Sequence, residues 1–260
     1  MRARLLVLGE RVLTVLVLAA VLAGCETVPV TGRSQLNLVS PAQETEMGTE
    51  AYKEILGKAK VSKDPAANAL VTKVGTRIAQ ATGRTDLQWE FTVIDDPKTV
   101  NAFALPGGKV AVYTGILPIT RDEAGLAAVL GHEVSHVMAR HSAERISQQL
   151  GVQLTVQLAG AALGVDPQLT QAGAGVIANS LLLPWGRSQE SEADHLGLIY
   201  MAKAGYDPHA ARDLWLRMAE ASKGQSKPPE FLSTHPSDAT RVKQIEGWMP
   251  EAMKYYKPTS

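Results

Sequence analysis

His132-Glu133-Val134-Ser135-His136 sets two imidazoles four residues apart, with a carboxylate beside the first. An α-helix turns about 100° per residue, so positions i and i+4 lie about 40° apart on one face and one turn apart along the axis. Two neutral rings so placed can hold one Zn²⁺ through nitrogen lone pairs. Glu133 reaches the flank of such an ion but is badly placed to bind it alongside both histidines. That flank suits a general base: zinc lowers the pKa of water toward about 7, and the carboxylate takes the proton as the water attacks a carbonyl. The spacing predicts metal-assisted peptide hydrolysis, on the condition that this stretch is helical.

Local signals support the helix. Thr120-Arg121-Asp122-Glu123 reads as a capping box with acid in the first turn, and the residues from Ala124 to Leu130 are mostly good helix formers. The helix is expected to run to about Gln149. Upstream, Pro41 stands at the first position of a helix reaching Lys58, and Asp64-Pro65 opens a second that ends near Gly83. Trp89, Phe91 and Val93 alternate as in a strand, and a strand pair turns at Pro106-Gly107-Gly108, with Val110 and Val112 on the return. Leu150 to Leu183 reads as a buried helical hairpin, with a lid or membrane-leaning role at Leu181-Leu182-Leu183-Pro184-Trp185 as the other reading. Gln153, Gln157, Asp166 and Gln171 interrupt any long apolar run and argue against a membrane pass. Further helices start near Arg187, at Asp207-Pro208 and near Pro236. The expected fold is α+β, mostly helix, with a small β-sheet beside the motif helix.

The first 24 residues belong to a different argument. Arg2, Arg4 and Arg11 precede a run from Val12 to Leu22 that is apolar except for Thr14, followed by Ala23-Gly24-Cys25. A charged start, a short greasy core and small residues at the cut describe a signal peptide, and the core is short for a spanning helix. Leu22-Ala23-Gly24-Cys25 resembles the lipobox of bacterial lipoproteins, in which the Cys becomes the first residue and carries lipid. An unprocessed signal anchor is the other reading. Cys25 is the only cysteine, so it has no partner for an internal disulfide. Glu26 is not the Asp that resembles an inner-membrane retention signal, which points to the outer membrane. Residues 25–40 then form a polar, turn-rich tether, and 41–260 a single domain. Removing Arg2, Arg4, Arg11 and Glu10 from 26 cations and 26 anions leaves 23 and 25, a balance that argues against nucleic acid as partner.

A catalytic zinc site takes three protein ligands and keeps a position for water, so one ligand must come from elsewhere in the chain. Glu190 is the candidate, in Arg187-Ser188-Gln189-Glu190-Ser191-Glu192-Ala193-Asp194, where Glu190 and Asp194 share a helix face. Asp194 can accept the free N–H of a zinc-bound imidazole and fix its tautomer. Without the histidine motif, Glu190 and Glu192 would read as ordinary solvated helix charges. On one continuous helix His141 lies about 140° round from His136, pointing away from a metal, which makes it structural. His195 is off the ligand face, and His209 is a first-turn residue.

HExxH followed by ExxxD, with Asn101-Ala102-Phe103-Ala104-Leu105-Pro106-Gly107-Gly108 upstream, resembles the BepA, LoiP and Oma-type zinc metallopeptidases, the family of HtpX and the CAAX prenyl endopeptidase. The similarity runs from Pro29-Val30-Thr31-Gly32-Arg33 to His235-Pro236-Ser237-Asp238. Gly186 stands where the family motif usually has Ser. The resemblance implies a gluzincin, zincin-like domain holding one Zn²⁺ on His132, His136 and Glu190, with Glu133 as base and Asp194 behind a ligand. It implies an endopeptidase of the bacterial periplasm acting on misfolded or unassembled outer-membrane proteins, in a short form without C-terminal repeats. In Ser233-Thr234-His235-Pro236, His235 resembles a histidine that approaches the zinc as a fourth ligand and blocks the water site; a plain role at a helix start is the alternative. Arg241 either contacts a substrate carbonyl or oxyanion or makes a surface ion pair. The strand from Lys109 to Tyr113 resembles the sheet edge on which such enzymes lay an extended substrate. The competing class is a lipid-anchored chaperone or scaffold with a largely latent zinc site. A purely structural or storage zinc protein would leave Glu133 without a task.

Overall fold

The computed structural model describes residues 25–164, 186–223, 229–235 and 240–258. In chain order these form β1 (Cys25–Thr27), β2 (Ser34–Leu36), α1 (Pro41–Lys58), α2 (Pro65–Thr82), β3 (Glu90–Ile94), β4 (Ala102–Leu105) and β5 (Lys109–Tyr113). The helices α3 (Leu117–Thr120), α4 (Glu123–Met138) and α5 (His141–Leu163) follow. The remaining helices are α6 over 186–203, α7 (His209–Ser222), α8 (Glu230–Thr234) and α9 (Arg241–Ala252). The chain is mostly helical with small sheets, as expected. It divides into two compact units, residues 1–41 with 143–182 and residues 42–142 with 183–260.

Several boundaries follow from single residues. The Asp64 carboxylate accepts the Ala66 N–H at 2.9 Å and Pro65 fills the first turn, where its missing N–H costs nothing. At the other end of α2, Gly83 takes φ 74° and its N–H returns to the Gln80 carbonyl. The β4–β5 turn uses Gly107 and Gly108 at φ 83° and 82°, a left-handed pair that a side chain would strain.

In the second unit the three-stranded sheet has the order β3-β5-β4, with β5 parallel to β3 and antiparallel to β4. Its registers pair Phe91 with Val110 and Ala104 with Val110. Tyr52 of α1 is buried against this sheet, its hydroxyl 2.7 Å from Thr92 Oγ1 and 3.1 Å from the Val110 carbonyl oxygen. The expectation that Lys109–Tyr113 is the edge is therefore corrected. That strand is central, because β4 folds back through the glycine turn and lies outside it. The far side of β3 is covered by the Val61–Ile94 bridge and the Ser62 N–H to Val93 carbonyl bond, 2.8 Å. Among the described residues β4 has no strand partner on its other side.

The motif helix also differs from the expectation. Its N-cap is Asp122, whose carboxylate accepts the Gly125 N–H at 2.8 Å, while Thr120 closes the preceding short helix. It stops at Met138 instead of continuing to Gln149. Arg140 takes φ 54°, a left-handed conformation that costs about 1–2 kcal/mol for a non-glycine residue, and α5 starts afresh at His141. A partly buried ion pair, Arg140 Nε to Glu44 Oε2 at 2.7 Å, holds this corner.

α4 and α6 touch backbone to backbone. A Cβ on Gly131 would stand 2.9 Å from the Gly197 carbonyl oxygen, and one on Gly197 would stand 3.0 Å from the His132 nitrogen. Because α4 carries the histidine pair and α6 carries Glu190, this contact sets how near the third donor comes. Gly131→Ala is expected to cost about 1–3 kcal/mol in chemical denaturation and to weaken zinc binding. Unchanged stability and zinc affinity would show that the two helices can separate freely.

In the first unit, the stretch expected as a polar, turn-rich tether contains the β1–β2 antiparallel hairpin, with Cys25 opposite Leu36. Arg33 forks onto Glu144, with bonds of 2.6 and 2.9 Å, and the Leu38 N–H is accepted by Ser147 Oγ at 2.7 Å. These polar bonds order a stretch with few apolar residues of its own. Of the expected Leu150–Leu183 hairpin, residues to Leu163 are helix, and 165–185 lie outside the described residues, as does the helix start near Pro236. No described helix is long and apolar enough to cross a membrane.

Candidate active site

α4 delivers His132 and His136 on one face, α6 delivers Glu190 and Asp194, and the end of α8 delivers His235. One donor atom from each of His132, His136, Glu190 and His235 lies within 4.8 Å of all the others. The two Nε2 atoms are 3.1 Å apart, and Glu190 oxygens stand 3.3 Å from His132 Nε2 and 3.4 Å from His136 Nε2. His235 Nδ1 is 3.1 Å from His132 Nε2 and from both Glu190 oxygens. Donors about 2.0–2.1 Å from a tetrahedral ion are about 3.3 Å apart, so the spacings fit a zinc-sized cation. Three donors from α4 and α6 give the ligand set of a catalytic site, and His235 stands at the fourth corner.

The partners of these groups fix their chemistry. His132 Nδ1 is 2.9 Å from Asp194 Oδ1, so its N–H donates to the carboxylate and its Nε2 faces the cluster. Burial opposes charge on His132, but the Asp194 and Glu190 carboxylates outweigh it and raise its pKa to about 9. The same field favours a metal cation at that nitrogen. Burial drives His136 well below 6.5, which keeps its ring neutral, as a ligand must be. Burial also works against a charged Glu190, yet hydrogen bonding and attraction to His132 hold it far below the usual carboxylate range.

Glu133 differs from Glu190. Its Oε2 accepts the Ala104 N–H from β4 at 3.1 Å, and its Oε1 is buried without a hydrogen-bond partner among the described residues, 3.3 Å from His235 Nε2. Burial pushes its carboxyl above the ordinary range, with His235 and His132 opposing. Two neighbouring carboxylates thus have their pKa values driven apart, Glu190 downward beside the imidazoles and Glu133 upward by burial.

Residues 65–249 match peptidase family M48. The chain belongs to that family. Similar proteins include mitochondrial metalloendopeptidase OMA1 of Schizosaccharomyces pombe, 45% identical over 230 residues that cover 87% of this chain and 67% of the relative. The beta-barrel assembly-enhancing protease of Escherichia coli is 28% identical over 224 residues, 84% of this chain and 46% of that protein. Human mitochondrial OMA1 is 32% identical over 254 residues, 88% and 47% of the two chains. As an M48 member the chain is a metalloprotease, and the His132, His136, Glu190 and His235 cluster could hold its metal.

In this M48 site Arg241 is no surface residue. Its guanidinium lies 3.4 Å over the Trp215 ring and pairs with Asp194, Nη2 donating to Oδ1 at 2.7 Å and Nε standing 2.6 Å from Oδ2 as an ion-pair contact. The expected ion pair exists, but it is buried and fixes the carboxylate that fixes His132. Two groups read as structural or solvated, His141 and Glu192, are also buried here. His141 Nδ1 is 2.8 Å from His136 Nδ1, and its Nε2 is 3.0 Å from Glu192 Oε2. The continuous-helix geometry that turned His141 away from the metal fails because α4 ends at Met138. His195 and His209 lie outside the cluster, bonded to Glu251 and Asp207.

Proposed function

We propose that the chain is a zinc-dependent endopeptidase of the bacterial envelope, held at the outer membrane by lipid on Cys25, with misfolded or unassembled outer-membrane proteins as substrates. The reading rests on one observation: Glu133 stands beside the His132, His136, Glu190 and His235 cluster while its Oε2 accepts the Ala104 N–H of β4, a strand with no strand partner on its outer side among the described residues. An unfolded segment can add to β4 as a further strand, with main-chain pairing that favours extended chain over sequence. His132, His136 and Glu190 would hold the zinc ion, which when bound would supply Lewis acidity to lower the pKa of water and polarise a scissile carbonyl. Glu133 takes the water's proton through Oε1, which has no hydrogen-bond partner among the described residues, and passes it to the leaving amine. Asp194, itself held by Arg241, keeps His132 in the ligating tautomer.

One relative is named for mitochondria and another for β-barrel assembly in Escherichia coli. Leu22-Ala23-Gly24-Cys25 favours the bacterial setting, since it resembles a lipobox. Full-length protein with zinc is expected to cut a denatured outer-membrane barrel at many sites and to spare the folded barrel. A single required sequence, or equal cutting of both states, would overturn the substrate assignment. In a bacterial host Cys25→Ser is expected to abolish labelling by palmitate; retained label would remove the anchor.

His235 at the fourth corner supports a latch that keeps the site latent until substrate displaces it. His235→Ala is expected to raise hydrolysis of unfolded protein several-fold with zinc content unchanged. Equal activity in the two proteins would sink the latch.

A further inference from the structure

The two ligating histidines are supported differently. His132 meets a carboxylate directly, whereas the outward nitrogen of His136 meets another imidazole, His141, which in turn meets Glu192. Both supporting groups are buried, His141 at 2% and Glu192 at 6% exposure. A buried carboxylate and a buried imidazole are costly unless each is bonded. These two are bonded in a line that ends on a metal-site nitrogen.

The proton positions along that line are forced by the ligation. His136 presents Nε2 to the cluster, so its proton sits on Nδ1 and must be donated. His141 Nδ1 is the acceptor 2.8 Å away, so it carries no proton, and the His141 proton sits on Nε2, donated to Glu192 at 3.0 Å. Every donor has an acceptor, and reversing any one link would set two N–H groups or two lone pairs against each other. The line exists because of the corner at Arg140. The left-handed residue turns the chain so that the first residue of α5 faces back onto the last turn of α4, five residues after the histidine it meets.

We infer that His141 and Glu192 form a positioning relay that locks His136 in its Nε2-ligating tautomer, the counterpart for this ligand of what Asp194 does for His132. The relay rests on the metallopeptidase reading, because it acts on a metal ligand. Neither residue belongs to the donor cluster itself. Outer partners of metal-bound histidines are typically worth about 10–100-fold in metal affinity.

The test measures zinc affinity of the full chain by competition with a chelator, with circular dichroism as the check on folding. His141→Leu keeps bulk but offers no acceptor, and is expected to weaken zinc binding by about 10–100-fold. Asn places a carbonyl oxygen near the position of His Nδ1, so His141→Asn is expected to retain affinity within a few-fold. A folded His141→Leu protein with wild-type affinity, or an Asn variant as weak as the Leu one, would overturn the relay. Should the Leu variant fail to fold, nitrogen NMR of the zinc-loaded wild-type protein decides: the relay requires His141 protonated on Nε2, and protonation on Nδ1 refutes it. Wild-type protein that binds no zinc would instead defeat the metallopeptidase reading, a result distinct from each of these.

Discussion

Glu133→Gln is expected to reduce cleavage of casein or of a denatured barrel by about 100-fold to 10,000-fold, the range a general base contributes. Zinc content should stay at that of the wild type. The amide keeps the size of the side chain and can still accept the Ala104 N–H, which Glu133 bonds at 3.1 Å. What it lacks is basicity at Oε1, the buried oxygen without a hydrogen-bond partner among the described residues. The substitution therefore removes one chemical property and leaves the metal site's donors in place. Metal analysis and single-turnover cleavage on the same preparation check it. Activity that survives with zinc bound would mean another group takes the proton; loss of zinc together with activity would make Glu133 a ligand.

Glu190→Ala is expected to lower zinc affinity by more than about 100-fold, beyond the loss that follows from an outer partner. Two imidazoles on one helix then remain, without the carboxylate whose oxygens stand 3.3 and 3.4 Å from their Nε2 atoms. The effect should exceed that of His141→Leu, because a ligand is removed instead of a group that orients one. It should also abolish hydrolysis at ordinary zinc concentrations. Chelator competition on the folded variant is the measurement, and near-normal affinity would show that His235 or another group supplies the third bond.

The histidine pair and the carboxylate beside it were legible as neighbours because their placement depends only on helical periodicity, which a five-residue spacing displays. α1 and α2 were legible for a similar reason, since Pro41, Asp64, Pro65 and Gly83 act on the backbone within a turn of themselves. Glu190 was found through its pairing with Asp194, which local spacing also displays. His141 and Glu192 escaped because neither Gly nor Pro marks the break at Ala139-Arg140. Arg140 adopts φ 54° with Glu44, nearly a hundred residues earlier, bonded to its side chain. The choice of edge strand escaped as well. Alternation identifies Lys109–Tyr113 as a strand, but whether it is central depends on where β3 and β4 lie against it.

The sequence by itself determined which side chains could share a cation and which helices would carry them, because those relations are set within one or two turns of chain. The tertiary structure decided how close the donors come, which strand lies at the edge of the sheet, and which ring stands beside the outward nitrogen of His136. Those outcomes rest on the Gly131–Gly197 backbone contact, on β4 folding outside β5, and on the turned corner at Arg140. Each joins segments far apart in the chain, and the packing energy that fixes them exists only once both segments are in place.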